Sequence, residues 1–332
     1  MANDAGILMD TQRGGALTPS KPSSAWWQDL ALERGGLRAV KTGALIPFSL
    51  DNLIAVLRGF ANYTATQGLR LGARFGPVRP IRIAFTPHQP QPWHLIWSVL
   101  HVTGGKIVKD INTADAVFYF EDTTTREACP LNTISTPIEN IRRINCACLD
   151  VSKSKVARVF AEVFGYPLGL DPTTWHGQAV EKSELNGAHD GHIITCPAKR
   201  KVGMVYEHVI DNSDNGRFVE DYRSPTIGGK IALVYIKRRS MNYRFANTND
   251  KVLLQRPEQV FSAEERETLA RFCKAMDLDW GGIDVLRDRQ SGRLYVVDVN
   301  KTDMGPPTAL ALIDQVRSVR LLSRAFREFM LT

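Results

Sequence analysis

The apolar positions of the chain change their period several times, and each change marks an element. Leu50, Leu53, Ile54, Leu57 and Phe60 recur at three and four, which predicts a core helix with Ser49 or Asp51 as its cap. Ile81 to Phe85 reads as a short strand that ends in Thr86 to Pro92, a stretch its prolines hold extended. Trp93 to Val102 reads as a helix with Trp93, Ile96, Trp97 and Leu100 on one face, and Lys106 to Ile111 and Ala116 to Phe120 as two strands. Strand, loop, helix, strand predicts a parallel sheet. Ligands sit in the loops beyond the carboxyl ends of such strands, which makes His88, Gln89, Glu121 and Asp122 candidate substrate residues. Val156, Val159, Phe160 and Val163 predict a helix over Ser152 to Phe164, capped by Asp150 or Ser152 and ended by Gly165. Strands follow around Lys182 and over Val202 to Asp211. Gly228-Gly229 is a hairpin turn. Ser262 to Met276 is a helix with a Ser262/Glu265 capping box, and Thr308 to Met330 is a last helix.

The richest stretch is Trp280 to Asn300. Ile283 and Val285 alternate with polar neighbours, Gln290-Ser291-Gly292 signals a turn, and Leu294 to Val299 is a second apolar strand. With a strand period of two, Asp298 and Asn300 point to one face, and a short hairpin brings Asp284 alongside. Three oxygen-donating side chains at one spot form a hard-ligand set suited to Mg²⁺ (or Mn²⁺), whose shell is completed by phosphate oxygens and water.

Composition adds a preference for partners. The 332 residues are 43% hydrophobic and 23% charged, with a formal net charge of +7. That excess favours anionic partners. A small anionic substrate is the expectation, and nucleic acid is not expected. Arg70, Arg74, Arg79 and Arg82, and Arg317, Arg320, Arg324 and Arg327 in the last helix, leave a peripheral contact with an anionic membrane open. Oligomeric state is open too. No apolar run reaches the roughly 18 residues that cross a bilayer, and Met1 to Gly15 lacks the pattern of a signal peptide. Five cysteines, with no CxxC pair, read as reduced thiols of a cytoplasmic protein.

Several further residues align with phosphate chemistry. Lys153 and Lys155 sit in the first turn of their helix, where positive charge opposes the helix dipole and calls for a negative partner. After Lys182 comes a loop of small residues that includes Gly187 and Gly191, the parts of a phosphate cradle. Arg223, Lys237 and Arg238 lie on the two strands around the Gly228-Gly229 turn and offer donors to phosphoryl or carboxylate oxygens.

Taken in order, these stretches resemble the ATP-grasp superfamily over about residues 145 to 310. The resemblance implies an α/β (α+β) ATP-grasp fold preceded by a small open α/β domain. Its boundaries would be a disordered tail at 1–24, a substrate-side domain at 25–145, the ATP-grasp domain at 146–310 and a basic amphipathic helix at 311–332. It implies ATP contacts from Lys153 or Lys155, Lys182, Gly187 and Gly191. It matches Glu207, His208 and Val209 to the hinge at the adenine edge, and Asp211 or Asp214 to the ribose acid. It assigns Arg223, Lys237 and Arg238 to the transferring phosphoryl group, and Asp284, Asp298 and Asn300 to the metal. Most carboxylate–amine ligases of this fold have Glu where this chain has Asp298, and the Asp-x-Asn spelling is similar to the inositol phosphate kinases. The expectation is therefore a ligase-like activation of a carboxylate by ATP. A kinase acting on a hydroxyl is the alternative, and a non-catalytic nucleotide-binding, membrane-associated protein is the third reading.

Overall fold

The computed structural model describes residues 30–39, 45–74, 79–129, 141–188, 190–214, 216–245 and 249–332. The expected tail at 1–24, and Trp26 and Trp27, lie outside them.

The chain divides into two compact units, Met1–Ile46 and Pro47–Thr332. In the first, β1 (Leu30–Glu33) and β2 (Gly36–Ala39) form an antiparallel hairpin around Gly35, extended to three strands by β3 (Leu45–Pro47).

The larger unit begins with α1 (Leu50–Arg74), β4 (Arg82–Pro87), α2 (Leu95–Val102), β5 (Lys106–Val108), β6 (Ala116–Phe120) and β7 (Arg142–Ile144). The four strands make a parallel sheet in the order β5-β4-β6-β7, as the strand–helix–strand pattern predicts. Two expectations need correction. Every residue of α2 from Leu95 to His101 is buried, because α1 and α6 (Leu312–Leu331) pack against it. And β5 is only three residues long, since the Asp110 carboxylate accepts from Asn112 N and winds Ile111–Thr113 into a 3₁₀ turn. The predicted core helix α1 also differs. It meets α2 through Tyr63, stacked on Trp97 at 5.5 Å, and through buried Thr66, while Leu50, Leu53, Ile54, Leu57 and Phe60 are exposed. The basic residues beyond it are tied down: Arg79 and Arg82 both bind the Asp115 carboxylate, at 2.9 and 3.1 Å.

Next come α3 (Lys153–Phe164), β8 (Gly177–Ser183), β9 (His192–Cys196) and β10 (Met204–His208). The Ser152 hydroxyl caps α3 by accepting from Lys155 N, and Gly165 ends it at φ 77°. The three strands form an antiparallel sheet ordered β10-β8-β9.

The chain continues through β11 (Ser213–Asp214), β12 (Phe218–Ile227), β13 (Lys230–Ile231), β14 (Val234–Ser240), β15 (Lys251–Gln255), α4 (Pro257–Val260), α5 (Ala263–Ala275), β16 (Trp280–Arg287), β17 (Leu294–Asn300) and then α6. A large antiparallel sheet runs β15-β14-β12-β16-β17, with β11 and β13 beside β12. The capping box at Ser262 and Glu265 starts α5 as expected.

Among the described residues, the two larger of three apolar clusters hold the elements of this unit together. One joins α2, α6 and the parallel sheet to Trp280 and Tyr235 of the large sheet. The other packs α3 and α5 on the large sheet, with Phe160, Phe272, Ile283 and Val296 fully buried. Burying such side chains contributes roughly 1.5–3 kcal/mol each, so the sheet that carries the hairpin rests on a well-packed core. All five cysteines are free thiols. Among the described residues no helix is long and apolar enough to cross a membrane.

Candidate active site

The Trp280–Asn300 hairpin forms as predicted, with β16 and β17 antiparallel and Asp284 directly opposite Asp298. Register slips by one residue beyond Asp284, so that Val285 pairs with Val296. The extra residue is Val297, a β-bulge that turns it toward the same cavity as Asp298. The cavity is about 190 Å³ and is lined by β14, β12 and the hairpin, all strands of the large sheet, together with α3 and β8. Loop residues Leu185, Gly187, Ala188 and Gly191 also line it, with Phe245 and Asn249. Gly191 approaches the Phe245 ring closely: a Cβ would sit 3.1 Å from it, so the ring would have to give. The volume is below the roughly 300–1,000 Å³ of typical ligand pockets, because ion-paired side chains fill it.

Those pairs put seven of the predicted residues together: Lys153, Lys182, Gly187, Gly191, Lys237, Asp284 and Asp298 all line the cavity. Lys153 crosses from the first turn of α3 to Asp298, with Nζ 2.5 Å from Oδ1. Lys182 Nζ donates to Val297 O at 3.0 Å and sits 2.8 Å from Glu207 Oε2. Glu207 is almost fully buried, and that burial raises its pKa despite the Lys182 and Lys153 ammonium groups nearby. Arg223 lies on β12 directly opposite Asp284 and clamps two acids, Asp284 at 3.0 Å and Asp303 at 2.7 Å. Burial alone would depress Arg223, but those carboxylates outweigh it and raise its pKa. Burial likewise pushes Asp284 upward, and Arg223 and Lys237 overcome it, holding Asp284 at about 2. Gly282 lets Arg223 pass: a Cβ there would meet Asp303 Oδ2 at 2.5 Å and Arg223 Nε at 2.7 Å.

Other predicted residues lie elsewhere. Lys155 is on α3 but does not line the cavity. Arg238 points to the opposite face of β14 from Lys237, where it pairs with Asp214 and, at 2.9 Å, with Glu220. Asp214 is therefore held by Arg238 and by Phe218 N. The Asp211 carboxylate accepts from Ser213 N and Oγ and closes a turn. His208 packs edge-on against Trp175, and its burial lowers its pKa. Val209 is the first residue past β10. Asn300 lies opposite Gly282, and its amide oxygen accepts from Thr302 N and Oγ, so it closes the next turn; it is not among the residues that line the cavity. Of the expected substrate residues, Glu121 accepts from Tyr119 OH at 2.7 Å, and Asp122 from Thr302 Oγ at 3.3 Å.

The cavity also holds groups the sequence reading passed over: Asp221, Arg239 and Arg244, besides Phe245 and Asn249. Arg239 pairs with Asp221, whose burial raises its pKa to about 6 against the pull of Arg239. Strand period was the missed signal. Lys237 and Arg239 share a face of β14, and Lys237 lies opposite Asp221 in the register.

The donor set fits a small hard cation. Asp284 and Asp298 face each other across one strand pair, and Asp284 Oδ1 is buried without a hydrogen-bond partner. Two carboxylates with flanking cations leave room for phosphate oxygens to complete an Mg²⁺ shell.

No family model and no curated protein matches the chain. Solved structures do. The ATP-grasp ligase PsnB in complex with a minimal precursor matches with 11% identity, covering 76% of this chain and 99% of its own, at a TM-score of 0.50. A RimK-domain ATP-grasp protein from Sphaerobacter thermophilus shares 12% identity over 76% and 100%, at 0.46. D-alanyl-alanine synthetase A from Vibrio cholerae shares 13% over 76% and 99%, at 0.41. At these identities the likeness is one of fold. The PsnB match, with a three-stranded and a large antiparallel sheet meeting at a cavity of lysines and paired aspartates, establishes that this chain has the ATP-grasp fold.

Proposed function

We propose that this protein is an ATP- and Mg²⁺-dependent enzyme that activates a substrate carboxylate as an acylphosphate for attack by an amine or other nucleophile. The observation that carries the reading is the meeting of Lys153, Lys182 and Lys237 with Asp284 and Asp298 in one cavity of an ATP-grasp fold. Lys153 and Lys182 are spaced to bind the phosphates of ATP, and the glycine-bearing loop at 187–191 offers main-chain N–H groups above them. Asp284 and Asp298 would hold Mg²⁺ (or Mn²⁺), which would supply charge neutralisation at the phosphates. Lys237, with Arg239 beside it, stabilises the phosphoryl group as the bond to the β-phosphate oxygen breaks and a bond to the substrate carboxylate oxygen forms. ADP leaves, the nucleophile attacks the carbonyl carbon, and inorganic phosphate departs. Arg223 does not touch the reactants in this scheme: it fixes Asp284. The ATP-grasp ligase PsnB as a structural neighbour supports the same reading, as does the basic balance of the chain for an anionic substrate.

One observation favours a second reading. Asp298, one methylene shorter than the usual Glu, belongs to an Asp-x-Asn pattern similar to that of kinases of this superfamily, in which the phosphoryl group stays on a hydroxyl. An ADP-release screen over amino acids, peptides, acidic sugars and inositol phosphates, with products weighed by mass spectrometry, tests both. A condensation product with free phosphate is the expected result. A product heavier by one phosphoryl group means a kinase, and no acceptor-dependent ADP from any class overturns the enzymatic reading.

A further inference from the structure

The first half of α1 is amphipathic the wrong way round for a helix of this core. Its inner side meets α2 through Tyr63 and buries Thr66, and Arg58 Nη1 donates to Thr308 O in the segment before α6. Its outer side carries Leu50, Leu53, Ile54, Val56, Leu57 and Phe60, with Phe48 just before it, and all seven are between 39% and 73% exposed. At roughly 100 Å² for each such side chain this face presents on the order of 700 Å² of apolar surface, more than the few hundred Å² usual on a monomer and close to the ~800 Å² each partner contributes to a standard interface.

The order of the residues indicates which partner fits. The pattern is symmetric about position 55: Leu50 mirrors Phe60, Leu53 mirrors Leu57, and Ile54 mirrors Val56. In an antiparallel pair of identical helices crossing at that position, each residue meets its mirror. A two-fold interface requires this relation, since the same patch must complement itself. The charged residues of this stretch, Asp51 and Arg58, mirror positions 59 and 52, so no like charges are brought together.

We infer that a second copy of this chain covers this face, and that the protein is a two-fold dimer built on antiparallel α1 helices. Sedimentation velocity across the micromolar range tests it. The wild type is expected at twice the chain mass, and Leu53→Glu/Leu57→Glu at one chain mass with unchanged circular dichroism. A second measurement does not depend on that variant. Leu53→Cys protein mixed with Leu57→Cys protein should give a disulfide-linked dimer under mild oxidation, mapped to those two peptides, and neither protein alone should do so as efficiently. A dimer indifferent to the double substitution, or no preferential 53–57 cross-link, overturns the proposal. A monomeric wild type overturns it as well. If that monomer co-floats with phosphatidylcholine/phosphatidylserine vesicles, the face belongs to a lipid surface, and if it does not, the chain covers the face itself.

Discussion

At the scale of single residues, each acid of the hairpin has its own cation: Asp298 has Lys153, and Asp284 has Arg223. If these acids hold the metal, Asp298→Ala abolishes Mg²⁺-dependent ADP formation while circular dichroism stays native. Because Lys153 is then left largely buried without its carboxylate, stability should fall by about 1–3 kcal/mol, read by urea unfolding. Wild-type activity in that variant would remove the hairpin from the chemistry. Asp221 makes a pH-dependent prediction. Its pKa is raised from 3.8 to about 6 by burial, so between those values the folded state holds a proton that the unfolded state has released. Folding stability from this group is therefore fullest below pH ~4 and is lost as pH rises to 6, by up to about 3 kcal/mol. Asp221→Asn should flatten that decline. The measurement is the urea midpoint of both proteins from pH 4.5 to 6.5, and parallel profiles contradict the assignment.

At the scale of elements, β14 shows where a sequence reading succeeds and where it stops. The strand itself, its hairpin turn and its basic end are legible from Gly228-Gly229 and the apolar run. Which of three consecutive cations enters the site is decided by the pleat, which sends Lys237 and Arg239 one way and Arg238 the other. Arg238→Ala is thus expected to leave ADP formation within about two-fold of wild type, with a stability change near the ~0–1 kcal/mol of exposed pairs. Lys237→Ala and Arg239→Ala are expected to lower it at least ten-fold in initial-rate assays. The hairpin was equally legible, because Asp284, Asp298 and Asn300 sit on period-two strands. Asn300 also carries an interaction that strand period does not reveal: its short amide accepts from Thr302 and closes a local turn. Gly282 carries no chemical signal in the sequence, yet Arg223 crosses it so closely that Gly282→Ala should cost about 1–3 kcal/mol by overpacking. It should also loosen the grip on Asp284. Thermal melting of that variant checks the first effect, and its Mg²⁺ requirement checks the second.

At the scale of the whole molecule, the cavity is bounded by pieces far apart in the chain: the start of α3, the β8 strand and its glycine-bearing loop, the β14 face and the hairpin. In this structure their charges satisfy one another, with Lys153 on Asp298, Lys182 on Glu207, and Arg239 on Asp221. A nucleotide with its metal, bound as proposed, would replace those internal partners by stronger ones: phosphates for the lysines and a dication for the aspartates. Such a ligand binds the folded chain and not the unfolded one, since no unfolded segment holds the four pieces together. Mass action then stabilises the fold by roughly 2.7 kcal/mol at a hundred times the dissociation constant. For a unit of this size that corresponds to a rise of about 4–5 °C in Tm. We expect that rise with ATP and Mg²⁺ together, less with ATP in excess EDTA, and less with GTP, whose base presents a different edge to the Glu207–Val209 segment. Lys182→Ala should reduce the ATP effect. Because Lys182 also answers the charge of buried Glu207, its removal is best read beside Glu207→Gln/Lys182→Ala, which lowers the cost of the orphaned acid. If the double variant regains thermal stability without regaining the ATP shift, Lys182 acts on nucleotide. If it regains both, the lysine serves only to hold Glu207, and if millimolar ATP with Mg²⁺ leaves the wild-type Tm unmoved, the cavity is not a nucleotide site.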